Sequence, residues 1–153
     1  MTPAQKSALE TVAGRAITND EVTALDPLLD PDNRNDVAIA GILSVGRTRP
    51  VPTEIGIGTV LAVVGEGGGV FLDRLVEIGQ TDRNVHWAFK LIERGAYRID
   101  LPASRVGMLV LATTAPDTAA AISALLTLGV EPDPLSITDV SRALNIAEGR
   151  VNL

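Results

Sequence analysis

Glycine and proline interrupt this 153-residue sequence so often that it can build only short elements. Breaks fall at Gly14, Pro27, Gly46, Pro50, Pro52, the run Gly65-Glu66-Gly67-Gly68-Gly69, Gly95, Pro102, Pro116, Pro132 and Pro134. The stretches between them carry mainly helix signals. Thr2-Pro3-Ala4-Gln5 offers an N-cap, a proline at the first helical position and a glutamine at the capping-box position, predicting a helix from about Pro3 to Gly14. Thr18-Asn19-Asp20-Glu21 repeats the capping box and opens a short helix that must end or restart at Pro27. After a polar loop over residues 30–36, residues 37–45 read as a buried helix closed by Gly46.

The middle of the chain is less regular. Residues 47–53 are expected to be extended, because residues before proline are pushed towards β or polyproline geometry. Residues 55–64 fit either a strand or a short buried helix; we favour helix. The glycine run reads as a hinge or turn. Leu72, Leu75 and Val76 then share one helix face, and Val85, Ala88, Phe89 and Ile92 follow the i, i+3, i+4, i+7 spacing of the next. Residues 97–101 form a short extended bridge. Val106, Leu109 and Val110 mark a further helix. Residues 116–128 are apolar almost all round, as a central core helix or one packed on a partner would be, and the last helix runs from about Ile137 to Asn145. These elements predict an all-α fold: a single domain over 1–153, a compact bundle of about seven or eight short helices with an extended Arg/Pro-containing connecting segment.

Composition narrows the chemistry. Thirteen basic against nineteen acidic residues give a net charge of −6, and the pI is near 4.7, which disfavours a nucleic-acid-binding surface. Aromatics make up only 3 %, so the core must be aliphatic and base-stacking platforms are scarce. Without cysteine there can be no disulfide, thiolate nucleophile or cysteine zinc site. One histidine rules out sites that need two imidazoles. No apolar run approaches the roughly 18–20 residues of a bilayer span, and no cationic leader precedes an apolar stretch, so a soluble protein made in a cytoplasm is expected.

Asp30, Asp32 and Asp36 fail as a calcium loop, since Arg34, Asn35 and Gly41 stand at positions 5, 6 and 12. The glycines at 56, 58 and 65–69 complete neither a dinucleotide fingerprint nor a P-loop. His86 falls on the polar side of its helix with Lys90 and Glu93. No catalytic, metal or cofactor site is therefore expected, nor a small-molecule substrate, and we do not expect an enzyme. Two segments remain. Arg47, Arg49, Pro50, Val51, Pro52 and Thr53 form a proline-stiffened arm that could dock on a protein partner. Residues 137–151 resemble a helix-turn-helix with Asn145 at the turn. A small DNA-binding regulator using 137–153 is thus the alternative reading, opposed by the short second helix and by Glu148 among the DNA-facing positions.

The run Asp36-Val37-Ala38-Ile39-Ala40-Gly41-Ile42-Leu43-Ser44-Val45-Gly46-Arg47-Thr48-Arg49-Pro50 resembles a small protein family encoded in the structural-gene region of tailed bacteriophages. The likeness extends to the Met1-Thr2 helix start, to Thr53-Glu54-Ile55-Gly56-Ile57-Gly58-Thr59 and to Asp139-Val140-Ser141-Arg142-Ala143-Leu144. It implies a virion-associated structural or adaptor role in the tail, baseplate or fibre attachment, with the capsid or portal vertex as other locations. Partners would be other virion proteins or further copies of the chain in an oligomer. It carries no catalytic residues across.

Overall fold

The computed structural model describes residues 1–150. In the first third lie α1 (Pro3–Ala13), α2 (Asn19–Leu25), a 3-10 turn (Asp26–Leu29) and α3 (Asp36–Ser44). Then come β1 (Thr48–Pro50), β2 (Glu54–Ile55), α4 (Ile57–Val64), α5 (Gly68–Gly79) and α6 (Arg83–Glu93). The chain closes with β3 (Tyr97–Arg98), α7 (Pro102–Thr114), α8 (Ala119–Leu126), β4 (Val130–Pro132) and α9 (Ile137–Ala147). Helix dominates, yet the fold is not strictly all-α. Strands β1 and β4 pair, and β2 pairs antiparallel with β3 in the register Glu54↔Arg98 and Ile55↔Tyr97. The extended geometry that proline imposes around positions 50 and 52 leaves backbone groups unpaired, and these short ladders satisfy them.

The contacts gather into two compact units. The first comprises Met1–Thr48 with the described residues from Pro132 onward; the second is Arg49–Glu131.

In the first unit both capping boxes form. The Thr2 hydroxyl accepts from the Gln5 N–H and the Gln5 side chain accepts from the Thr2 N–H, at 3.2 and 2.8 Å. Thr18 and Glu21 repeat the exchange at 3.3 and 2.9 Å. Pro27 opens the 3-10 turn rather than kinking α2, which tolerates its missing N–H. Leu9, Leu25, Ile39, Leu43, Val140 and Leu144 close the core with no exposed surface.

In the second unit the ambiguity of residues 55–64 resolves into both elements: Ile55 is a buried strand residue and Ile57–Val64 is a helix. The glycine run is a 3-10 turn (Gly65–Gly67) leading straight into α5. Gly68 lets the two helices meet closely there: a Cβ would lie 3.1 Å from the Leu61 Cα of α4. Phe71, Leu75, Ile92, Ile99, Ile122 and Leu125 dominate this core, so α8 is a core helix of its own unit. Helix α7 departs from expectation: Met108 and Leu111 face the core, whereas Val106, Leu109 and Val110 are 60, 55 and 56 % exposed.

Candidate functional site

The arm over residues 47–53 is engaged by its own chain along most of its length. Arg47 donates from Nε and Nη2 to the backbone carbonyl and carboxylate of Asp133, at 3.1 and 2.9 Å, and from Nη1 to the Ala13 carbonyl at the end of α1. It thereby ties α1 and the segment before α9 together within the first unit. Arg49 pairs with Glu131 at the surface. The Val51 N–H donates to the Gly129 carbonyl at 2.9 Å. Thr53 donates its N–H to Asp100 at 2.9 Å and accepts from the Ile99 N–H at 3.1 Å. Asp100 is buried and also receives a two-pronged bond from Arg98, 2.7 and 2.6 Å. The Arg98 guanidinium, with the Thr53 N–H, holds the Asp100 carboxyl far below the usual carboxylate range. Of the six candidate residues, Arg49, Pro50 and Pro52 keep exposed surface, while Val51, Thr53 and Arg47 are half-buried.

The C-terminal candidate changes character. Helix α9 runs through Asn145 to Ala147 without a turn, and the Asn145 side chain accepts from Arg34 at 2.8 Å. Glu148 does not stand among outward-facing positions: it accepts from Arg34 at 2.9 Å and from Gln5 at 3.0 Å. Arg34 completes the cluster with a two-pronged bond to Asp36, at 2.7 and 3.1 Å. This network draws α1, α3 and α9 together through charge-assisted bonds. Arg142 is exposed beside Asp139, and Arg150 contacts Glu148 at 3.1 Å. The remainder of the helix-turn-helix segment, residues 151–153, lies outside the described residues.

The other constellations resolve into structural roles. Asp30 accepts from the Asp32 N–H in a tight turn, and Asp36 belongs to Arg34. Among the described residues no three His, Asp or Glu side chains come together as a metal-binding group. His86 is exposed and meets Trp87 edge-on, ring centres 5.2 Å apart. No helix among the described residues is long and apolar enough to cross a membrane.

The feature that sequence reasoning passed over lies in the second unit. Helices α5, α6 and α7 enclose an apolar cleft of about 340 Å³, lined by Leu75, Val85, Ala88, Met108 and Leu111 among others. Asn84, Ser104 and Tyr97 add polar groups, and the Tyr97 hydroxyl donates to the Ser104 carbonyl at 3.3 Å. Burial pushes the Tyr97 phenol above its ordinary range. On the α7 side the cleft is lined by Ala103 and Gly107, which are exposed, as are Val106 and Val110 beside them on a helix face that carries none of α7's charge. A signal for this face was present. Val106, Leu109 and Val110 occupy a different side of the helix from Met108 and Leu111, so α7 is apolar on two faces, more than one core can use. Compared with known protein families, curated proteins and solved structures, the chain matches none.

Proposed function

We propose that the protein is a structural or adaptor component of a tailed bacteriophage particle, in the tail, baseplate or fibre attachment. In this reading it works by contact with other virion proteins or with further copies of itself, after synthesis in the bacterial host cytoplasm. The observation that carries the contact mechanism is where apolar surface lies exposed. Among the described residues, all the exposed large hydrophobics except Val37, Val45, Ile137 and Ile146 belong to the second unit. That unit is also the nearer to neutral, with seven basic against nine acidic residues. Apolar surface with few charges is what a protein partner buries most favourably. The virion location rests on the family resemblance of residues 36–50 and 139–144. The remainder of the fold reading, a bundle of short helices joined by the 47–53 segment, supplies a scaffold whose outer helix faces are available for contact.

The test is to purify particles from a host carrying the gene and search them for this chain by mass spectrometry, with chemical cross-linking to name its neighbours. Stoichiometric presence with cross-links from the second unit is the expected result. Its absence from particles, combined with no stable complex in the host lysate, overturns the reading.

A further inference from the structure

We propose that the outer face of α7 is a self-association seam whose occupant is α7 of a second copy of this chain, packed antiparallel about a two-fold axis beside Gly107. The proposal rests on the contact reading above and names the partner for that surface.

The seam is written in the helix. Ala103, Val106, Gly107 and Val110 stand at i, i+3, i+4 and i+7, and all four are exposed. That spacing lines one side of a helix and is the pattern by which a helix meets another helix. The inner side of α7 is already occupied by its own core through Met108 and Leu111. Helix α7 thus carries one apolar face more than its unit consumes.

Charge favours a second copy as the occupant. At a net charge of −6 two copies repel each other overall, so they associate best where neither presents charge. The one ionisable residue of α7, Arg105, is turned away to the Leu126 and Leu128 carbonyls, at 2.8 and 3.2 Å. The seam therefore brings no like charges together when it meets itself. An antiparallel pairing also sets each helix N-terminus beside the other's C-terminus, so that the two dipoles oppose and attract.

Shape supports the same occupant. Nothing lies within 4 Å of where a Gly107 Cβ would be, so another backbone can approach there. Val106 and Val110 form a ridge directly beside the hollow at Ala103 and Gly107, which is continuous with the cleft. Two copies related by a two-fold axis each place their ridge in the other's hollow, the self-complementarity that an isologous interface needs. The 13-residue helix is about 20 Å long and about 10 Å wide, offering a few hundred Å². That is below the roughly 800 Å² per partner of a standard stable complex, so the dimer is expected to be weak and reversible.

The natural absence of cysteine gives a direct test. Sedimentation velocity of the wild-type chain from micromolar to millimolar concentration should show a reversible monomer–dimer equilibrium. Val110→Asp forces a carboxylate into the partner's hollow on each side of the axis, where nothing pairs it, and should weaken the dimer at least about tenfold. Because that variant could disturb folding, single cysteines provide a second reading. Gly107→Cys should form a disulfide-linked dimer under mild oxidation, and Ser123→Cys, exposed on α8, should not. A wild-type chain that stays monomeric throughout overturns the proposal, as does a dimer that ignores Val110→Asp and cross-links equally at both positions. A monomer that is still incorporated into particles through α7 gives the seam to a different virion protein; it overturns the second copy and leaves the contact reading standing.

Discussion

Arg34 and Glu148 are 114 positions apart in sequence, yet the guanidinium donates to the carboxylate at 2.9 Å, with only 10 and 14 % of the two side chains exposed. Arg34→Ala would leave Asp36 without its cation, and Glu148 with only the exposed Arg150, in a largely desolvated place. A loss of about 2–4 kcal/mol from the first unit is expected, read by urea denaturation, because removing one partner strands the other. Glu148→Gln keeps a hydrogen-bond acceptor for Arg34 and should cost less. Equal losses for the two variants would mean that the charge carries the interaction and a neutral hydrogen bond cannot replace it; no loss for Glu148→Gln would mean that the charge adds nothing beyond the hydrogen bond.

The two arginines of the 47–53 arm should separate cleanly. Arg47 holds Asp133 and the Ala13 carbonyl, so Arg47→Ala is expected to cost about 1–2 kcal/mol of stability through the bonds it forfeits. Arg49 forms only a surface ion pair with Glu131, worth less than about 1 kcal/mol. Thermal melts of the single variants decide this. If Arg49→Ala leaves the melt unchanged and yet weakens particle assembly, the exposed part of the arm contacts a partner.

Acid should weaken the first unit partly through Glu21. The Arg15 guanidinium, helped by the Thr18 N–H, lowers its carboxyl from an ordinary value of 4.5 to about 2. A carboxyl with a depressed folded-state pKa stabilises the fold fully above its unfolded pKa. That contribution is lost as pH falls from about 4.5 through about 2. Glu21→Gln should therefore lower stability at neutral pH and flatten its decline across this window, as measured by denaturant titrations at a series of pH values. An unchanged acid slope would assign the decline to other carboxylates.

What could be read from sequence was whatever is decided locally. The Thr2–Gln5 and Thr18–Glu21 capping boxes need only four consecutive residues, and both form. The 55–64 stretch was ambiguous because its β-branched residues suit either state; Gly56 divides it, with Ile55 paired to Tyr97 and the helix starting at Ile57. Tertiary relationships were hidden. Nothing in the acidic 30–36 loop announces that Arg34 reaches α9, and Asn145 looked like a turn residue because asparagine suits turns as readily as it suits accepting a bond from an arginine. The exposed face of α7 was hidden for the opposite reason, since apolar periodicity marks a helix without saying which apolar side faces inward.

Glycines on two helices should respond in opposite directions to the same substitution. At Gly79, the last residue of α5, an added Cβ would lie 3.0 Å from the Cα of His86, where α5 and α6 press together. The obstacle is backbone, so relief requires the helices to shift, and Gly79→Ala should cost about 1–3 kcal/mol, the range for overpacking. At Gly107, in the middle of α7, the added Cβ meets nothing within 4 Å and the backbone is already helical. Gly107→Ala should stabilise the monomer by about 0.5–1 kcal/mol, because alanine gives up less backbone freedom than glycine in a helix. Melting curves at low protein concentration, where any association is suppressed, check both. A destabilised Gly107→Ala under those conditions would mean that α7 is more closely covered within its own chain than its open face indicates, and the seam would lose its basis.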